Sequence, residues 1–144
     1  MDKFMAIAIE EAKNGLSQGG IPIGSVLVKN GKVIARGHNQ RVQKKNPILH
    51  AEIDCLQNAG RVGSYKGTIL YSTLMPCYLC AGAIVQFGIK KVYAGESKTF
   101  EGAKEFMESH DVQVFDLDLE ECKNLMKNFI KKKPELWAED IGNL

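Results

Sequence analysis

The chain has 144 residues, 44% of them hydrophobic and 25% charged, and its formal net charge is +2. This balance is typical of an ordinary globular protein, and the length predicts a single domain over residues 1–144. So small a charge gives no support to a nucleic-acid partner. Residues 101–144 carry 11 acidic and 6 basic side chains, so the C-terminal part is not a polyanion-binding tail.

The cysteine count and the N-terminus point to a reducing compartment. Four cysteines are too few for a disulfide scaffold in a chain that is long enough to bury its own core. The N-terminal segment has acidic residues inside its apolar pattern, unlike a signal peptide, and no apolar run approaches the roughly 18 residues that span a bilayer. We therefore expect a cytoplasmic protein with no membrane contact, whose thiols are buried, bind metal or act in catalysis.

The first half of the chain predicts a helix, a hairpin and a second helix. Apolar residues recur at helical spacing before Gly19 and Gly20, namely Met5, Ala8, Ile9, Ala12 and Leu16. The segment "GSVLVKNGKVIARG" predicts a β-hairpin that turns at Asn30–Gly31, because both residue types tolerate positive φ. An Asn–Pro turn at Pro47 then leads into a helix that we expect to end near Gly60.

The second half alternates strands and helices. "GTILYST", "KKVYAG" and "VQVF" predict strands, whereas "PCYLCAGAIVQFG" and "EGAKEFMESH" predict helices. Pro76 suits the first turn of its helix and Gly88 the C-terminal cap. Asp118 and Glu121 resemble a capping box for a late helix, and "PELWAEDIG" adds a final turn or two.

This order of elements predicts the fold class. A helix and a hairpin followed by alternating helices and strands imply a mixed five-stranded sheet with helices on both faces. The chain is therefore expected to be a three-layer α/β/α sandwich. The alternation alone does not predict the order of the strands.

Cys77 and Cys80 are the first candidate functional residues. A spacing of three at the start of a helix puts both thiols on one face, and the free amides and dipole of the first turn favour thiolates. Two such thiolates are half of a tetrahedral zinc site. Taken alone, the pair is a moderate signal for zinc, and a redox pair or two buried thiols remain alternatives.

His50 and Glu52 complete a catalytic pattern. His50 opens the preceding helix, three positions after Pro47, and can supply a third ligand. Glu52 follows two positions later and points in another direction, so it can reach over the remaining coordination position. Three protein ligands and one free position are typical of catalytic zinc, and we predict one Zn²⁺ per chain.

The arrangement H-x-E…P-C-x-x-C is the signature of zinc-dependent nucleobase deaminases. His50, Glu52, Pro76, Cys77 and Cys80 match its fixed positions. Nearly the whole chain also resembles the fungal-type cytosine deaminases of the cytidine deaminase-like superfamily. The matching stretches are "GGIPIGSVLV", "ARGHNQR", "LHAEI", "LYSTLMPCYLCAGAI", "VYAGES" and "LWAEDIG".

This resemblance implies an α/β/α homodimer that converts cytosine to uracil and ammonia in pyrimidine salvage. A zinc-activated hydroxide attacks the carbon that bears the amine, and Glu52 carries protons from the water to the ring nitrogen and the departing amine. The same resemblance implies that Asn39 contacts the base edge and that Asp140 binds its amino group. The remaining implied pocket residues are Ile23, Ala51, Cys77, Phe100 and Trp137, with Ala51 and Cys77 contributing backbone amides.

Several of these residues also have ordinary structural explanations. Asn39 could be a turn residue, Asp140 an exposed acid near the chain end, and the aromatic and aliphatic residues simple core packing. His38, Cys55 and Cys122 are expected to be structural only.

Met75 departs from the family pattern, which has serine at this position. If Met75 touches the base, the pocket could favour another amino-heterocycle such as guanine, isocytosine or a triazine-like amine. Otherwise it only packs beside the zinc loop.

Two other classes of protein remain open. A tRNA adenosine deaminase shares "HAE", the two cysteines, the asparagine and "PIG", but its substrate needs a basic surface. Three lysines at a helix end are typical of ordinary surface charge, namely Lys131, Lys132 and Lys133. The net negative charge of the C-terminal part disfavours binding of a polynucleotide. An inactive zinc-binding module is the non-enzymatic alternative, and Glu52 argues against it because a structural site has no use for an unliganded carboxylate.

Overall fold

The structure is a computed structural model that describes residues 2–144. Within that range, seven helices and five strands follow one another as α1 (Lys3–Ser17), β1 (Gly24–Lys29), β2 (Lys32–His38), α2 (Arg41–Lys44), α3 (Ala51–Ala59), β3 (Thr68–Ser72), α4 (Tyr78–Phe87), β4 (Lys91–Ala94), α5 (Lys104–Ser109), β5 (Gln113–Asp116), α6 (Glu120–Lys132) and α7 (Pro134–Asp140). None of these helices combines the length and the apolar character that crossing a bilayer requires.

The strands form the mixed sheet that the sequence predicts. Their order is β2-β1-β3-β4-β5. Strand β1 runs antiparallel to both β2 and β3, whereas β3, β4 and β5 are parallel. The parallel pairs are joined through helices, as crossover connections require.

Helices cover both faces of this sheet, because successive strand residues point to opposite sides. On β1, Val26 and Val28 pack with α1 residues and with Cys122 of α6. Leu27 points the other way and packs in a cluster with Cys55 of α3 and Ile84 of α4. Each such buried aliphatic side chain contributes about 1.5–3 kcal/mol. The α/β/α layering is therefore confirmed.

The hairpin turn has the predicted backbone. Asn30 and Gly31 both have positive φ, at 52° and 75°. Gly60 caps the C-terminus of α3 with a φ of 70°, where the sequence predicts the helix end.

Two local predictions are wrong, and one helix was not predicted. Helix α4 begins at Tyr78, so Pro76 precedes it and Cys77 is its N-cap, because Cys77 has extended backbone with φ −77° and ψ 179°. Asp118 does not cap α6, whose N-cap is Leu119, because a φ of 50° turns Asp118 away and its carboxylate pairs with Lys123 at 2.8 Å. The short helix α2 was not predicted, since its four residues carry no apolar period.

One edge of the sheet gathers the predicted site residues. Because β1 is antiparallel to its neighbours, its first residue Gly24 pairs with His38 at the end of β2, and Ser25 pairs with Ser72 at the end of β3. Helix α3 lies so close to β2 that an added Cβ on Gly37 would be 2.5 Å from the Cys55 amide nitrogen. The Asp54 carboxylate accepts from the His38 amide at 3.0 Å and fixes this contact.

Candidate active site

A cavity of about 330 Å³ opens at this edge of the sheet. Every predicted site residue except Cys80 lines it, and four residues that were not predicted do so as well. The lining residues are Ile23, Asn39, His50, Ala51, Glu52, Leu74, Met75, Cys77, Tyr78, Leu79, Phe100, Trp137, Asp140 and Ile141. Cys80 is fully buried beside it.

His50, Cys77 and Cys80 converge as the sequence predicts. His50 Nδ1 lies 3.3 Å from Cys77 Sγ and 3.6 Å from Cys80 Sγ. Among the described residues, these three form the one cluster of potential metal ligands, with donor atoms within 4.8 Å of one another.

The donor set fits zinc. Bonds of about 2.3 Å to sulfur and about 2.0–2.1 Å to nitrogen place a thiolate and an imidazole on a tetrahedral ion roughly 3.5 Å apart. The observed separations of 3.3 and 3.6 Å agree with that value. Two thiolates and one imidazole leave one coordination position for water, which is the arrangement of a catalytic site.

The cluster also prepares a thiolate ligand. The hydrogen bond with Cys80 and the neighbouring His50 hold the pKa of Cys77 at about 4, well below its ordinary value. Burial lowers the pKa of His50, but the hydrogen bond with Cys77 and the charge of Asp140 outweigh it, and the resulting pKa is about 9. Metal binding must therefore displace the imidazole proton.

Glu52 lies in the first turn of α3, two residues beyond His50. Its side chain is buried, and this burial raises its pKa to about 7, with the nearby Cys77 adding to the shift. A carboxyl group with a pKa near neutrality can both accept and return a proton at physiological pH.

Asn39 and Asp140 meet at the polar end of the cavity. Asn39 is fully buried, and its Nδ2 donates to Asp140 Oδ1 at 3.4 Å. His50 Nε2 lies 3.5 Å from the same oxygen. Burial raises the pKa of Asp140 above its ordinary value, and the charges of His50 and Arg41 offset only part of this rise. The distance to His50 places the Asp140 carboxylate directly beside the zinc ligands.

The walls of the cavity are apolar. Phe100 and Trp137 pack edge to face, with ring centroids 5.9 Å apart and an interplanar angle of 89°. Ile23 and Met75 are buried at 5% and 1% exposure and line the same space. Apolar side chains of this kind can pack against the faces of a flat heterocycle.

The comparison with known proteins identifies the family. A family model for the cytidine and deoxycytidylate deaminase zinc-binding region matches residues 1–96, which contain His50, Glu52, Cys77 and Cys80. The chain belongs to this deaminase family. It is accordingly a zinc-dependent aminohydrolase, with His50, Cys77 and Cys80 as the residues that could hold the ion.

Individual relatives align with most of this deaminase. It is 44% identical to the cytosine deaminase of Candida albicans over 97% of its own length and 95% of the relative. It is 35% identical to a tRNA-specific adenosine deaminase of Streptococcus pyogenes, covering 92% of this chain and 91% of that one. A solved structure from a study of tRNA:A34 deaminases has a TM-score of 0.70 and 32% identity, covering 78% of this chain and 95% of the other.

Four residues that line the deaminase cavity were not predicted, and each adjoins a predicted one. Tyr78 and Leu79 follow Cys77, Leu74 precedes Met75, and the fourth is Ile141 beside Asp140. Adjacency to the motifs could have identified them. His38, by contrast, faces away from the cavity and places Nδ1 2.8 Å from Glu11, which agrees with its predicted structural role. Cys55 and Cys122 are buried, as expected.

Proposed function

We propose that this deaminase hydrolyses free cytosine to uracil and ammonia. The observation that carries the proposal is the Asp140 carboxylate, which lies 3.5 Å from the zinc-ligand imidazole inside a cavity of about 330 Å³. A carboxylate there can accept hydrogen bonds from an exocyclic amine at the reacting carbon. The extensive similarity to a fungal cytosine deaminase supports the same substrate.

Zinc held by His50, Cys77 and Cys80 would supply a water molecule that is nucleophilic at neutral pH. In the proposed mechanism, Glu52 accepts a proton from this water and delivers it to the ring nitrogen next to the reacting carbon. The water oxygen forms a bond to the reacting carbon. Glu52 then takes the second proton from this new hydroxyl and passes it to the amine. As the oxygen forms a carbonyl with the carbon, the bond to the amine breaks and ammonia leaves.

The other cavity residues would orient the base. Asn39 would offer a donor and an acceptor to the ring edge, and Ala51 and Cys77, which line the same space, would contribute their backbone amides. Phe100, Trp137 and Ile23 line the same cavity and would pack against the ring. These groups bind and align the substrate, whereas the proton transfers belong to Glu52.

The direct test is ammonia release from cytosine by the zinc-loaded protein. We expect rapid, saturable release with one equivalent of uracil per ammonia. A parallel panel of guanine, isocytosine and amino-triazines shows whether Met75, where related enzymes have serine, shifts the preference. Saturable release from one of these bases with none from cytosine would contradict the cytosine assignment.

A second candidate, deamination of tRNA adenosine, is favoured by the relatives that carry that name. Two features of this chain weigh against it. Helix α7 contributes Trp137 and Asp140 to the lining of the cavity, which leaves less room there for a base that is still attached to a polynucleotide. Residues 101–144, which include α7, carry five more acidic than basic side chains, which repels phosphates. Formation of inosine in tRNA, with free cytosine untouched, would support this candidate instead.

We further propose that the protein is a homodimer joined through the α3–α4 face. Tyr78, Leu79 and Phe87 on α4 are 73%, 45% and 48% exposed. Residues 74–88 contain no charged side chain, and Phe87 stacks on Tyr65 with centroids 5.6 Å apart at the rim of a groove of about 640 Å³. An exposed apolar surface of this extent is typical of a protein–protein interface. In a twofold-symmetric dimer, the same apolar surface of a second copy of the chain would cover it.

Measurement of the mass in solution tests this assembly. The wild type is expected at twice the chain mass of 15.9 kDa. Phe87→Glu places a charge in the proposed interface and should yield monomers. Phe115→Glu, at an aromatic residue of similar exposure on strand β5, should remain dimeric. A monomeric wild type, or a dimer that survives Phe87→Glu, would contradict the proposed interface.

The proposed reaction places the protein in salvage of pyrimidine bases. All four cysteines are free, and Cys77 and Cys80 must stay reduced to bind zinc. A reducing compartment such as the cytoplasm meets this need.

A further inference from the structure

Arg41 is a buried cation next to the cavity. It begins α2, two residues after Asn39, and its side chain is only 10% exposed. Arginine is almost never buried to this extent unless it is paired. Its neighbours therefore indicate what its charge is used for.

The contacts of Arg41 join three separate segments at the site. Its backbone amide donates to Asn39 Oδ1 at 3.1 Å, which leaves Asn39 Nδ2 facing Asp140. Its Nε donates to the Pro47 carbonyl at 2.8 Å, in the segment that leads to His50. The same Nε lies 3.4 Å from Asp140 Oδ1 on α7.

The guanidinium also balances charge on α7. The Asp140 side chain is 5% exposed, and a carboxylate buried to this degree is costly without a compensating cation. Nη1 of Arg41 lies 3.7 Å from Glu139 Oε2 and has no hydrogen-bond partner among the described residues. The hydrogen bonds of the guanidinium are therefore incomplete. Its charge pairing with the two consecutive acids of α7 explains the burial of Arg41 better than its hydrogen bonds do.

We propose that Arg41 is a positioning residue that fixes the Asp140 carboxylate and docks helix α7 against the cavity. In this role it does not touch the base. It holds the carboxylate toward the position of the exocyclic amine and keeps Trp137 over the ring. The kinetic part of this inference rests on the proposed function, whereas the docking of α7 does not.

Fluorescence tests the docking without substrate or metal. Trp137 is the single tryptophan of the chain and lies on α7, so acrylamide quenching reports its exposure directly. Arg41→Met keeps much of the side-chain volume and removes the charge. We expect its quenching constant to rise clearly above that of the wild type. Arg36→Met, which removes an arginine paired with Glu10 and Glu11 of α1, should leave quenching unchanged.

Kinetics then tests whether Arg41 acts through Asp140. Loss of one member of a buried ion pair should lower kcat/KM for cytosine about 10²-fold in Arg41→Met, and Asp140→Asn should cost at least as much. In the double variant, kcat/KM should lie no more than about threefold below that of Asp140→Asn. The effects of two substitutions within one interaction are not additive. Arg41→Lys, which retains the charge, should recover part of the loss.

The outcomes separate the two proposals. Quenching of Arg41→Met equal to the wild type overturns the inference, and so do single losses that multiply in the double variant. A wild type that does not deaminate cytosine refutes the proposed function, and the quenching experiment still decides the role of Arg41 in docking α7.

Discussion

Replacing Glu52 by glutamine is expected to lower kcat for cytosine deamination about 10²- to 10⁴-fold, the usual contribution of general acid–base catalysis. Glutamine has nearly the same shape but cannot exchange a proton at this position. Because Glu52 lies outside the His50, Cys77 and Cys80 cluster, the variant should still bind one zinc ion per chain. Ammonia release and metal content, measured on the same preparation, check both parts.

A glutamate far from the cavity provides the matched control. Glu108 on α5 is half exposed, and among residues 2–144 its carboxylate pairs with Lys104 alone, so Glu108→Gln should retain wild-type turnover and zinc. If Glu52→Gln kept full turnover with zinc bound, Glu52 would not be the proton carrier. If it lost zinc, the carboxylate would have a role in the metal site that its position does not indicate.

Replacing Cys80 by serine is expected to remove both zinc and turnover. The hydroxyl is almost isosteric with the thiol, but it does not ionise near neutrality and is a poor zinc ligand. Losing one of three protein ligands should lower the zinc content well below one ion per chain. Turnover should then fall below that of Glu52→Gln, because the activated water is lost with the metal.

Cys122 offers the matched control for this substitution. Its thiol is also buried, on α6, and burial raises its pKa to about 12. Cys122→Ser should therefore keep zinc and turnover, at some cost in stability from burying a hydroxyl. One zinc ion per chain in Cys80→Ser, at wild-type affinity, would show that Cys80 is not a ligand.

The two variants together separate the roles in the site. Glu52→Gln removes proton transfer and leaves the metal, whereas Cys80→Ser removes the metal. Wild-type activity in both variants would contradict the proposed zinc-dependent deamination in this cavity.

The metal cluster could be predicted because its information is local. Cys77 and Cys80 lie at the start of one helix, and His50 and Glu52 lie at the start of another. Side-chain direction over so few residues follows from backbone geometry alone. Zinc chemistry then supplies the link between the two helices, since two thiolates need further ligands.

The errors arose where the local pattern was weak or ambiguous. Helix α2 has four residues and no apolar face, so no periodicity marked it or the role of Arg41. Asp118 has the right spacing to Glu121 for a capping box, yet its positive φ gives it a different partner in Lys123. A short motif does not encode that competition between nearby groups.

By itself, the sequence determined the strands, the helices other than α2 and the donor set for zinc, because hydrophobic period, turn residues and ligand spacing act over a few residues. Only the tertiary structure decided the strand order and the meeting of Asn39 with Asp140, which are 101 positions apart and join at 3.4 Å. That contact depends on how α6 and α7 fold back over one edge of the sheet. Burial across the whole core stabilises this arrangement, and no short segment carries that information.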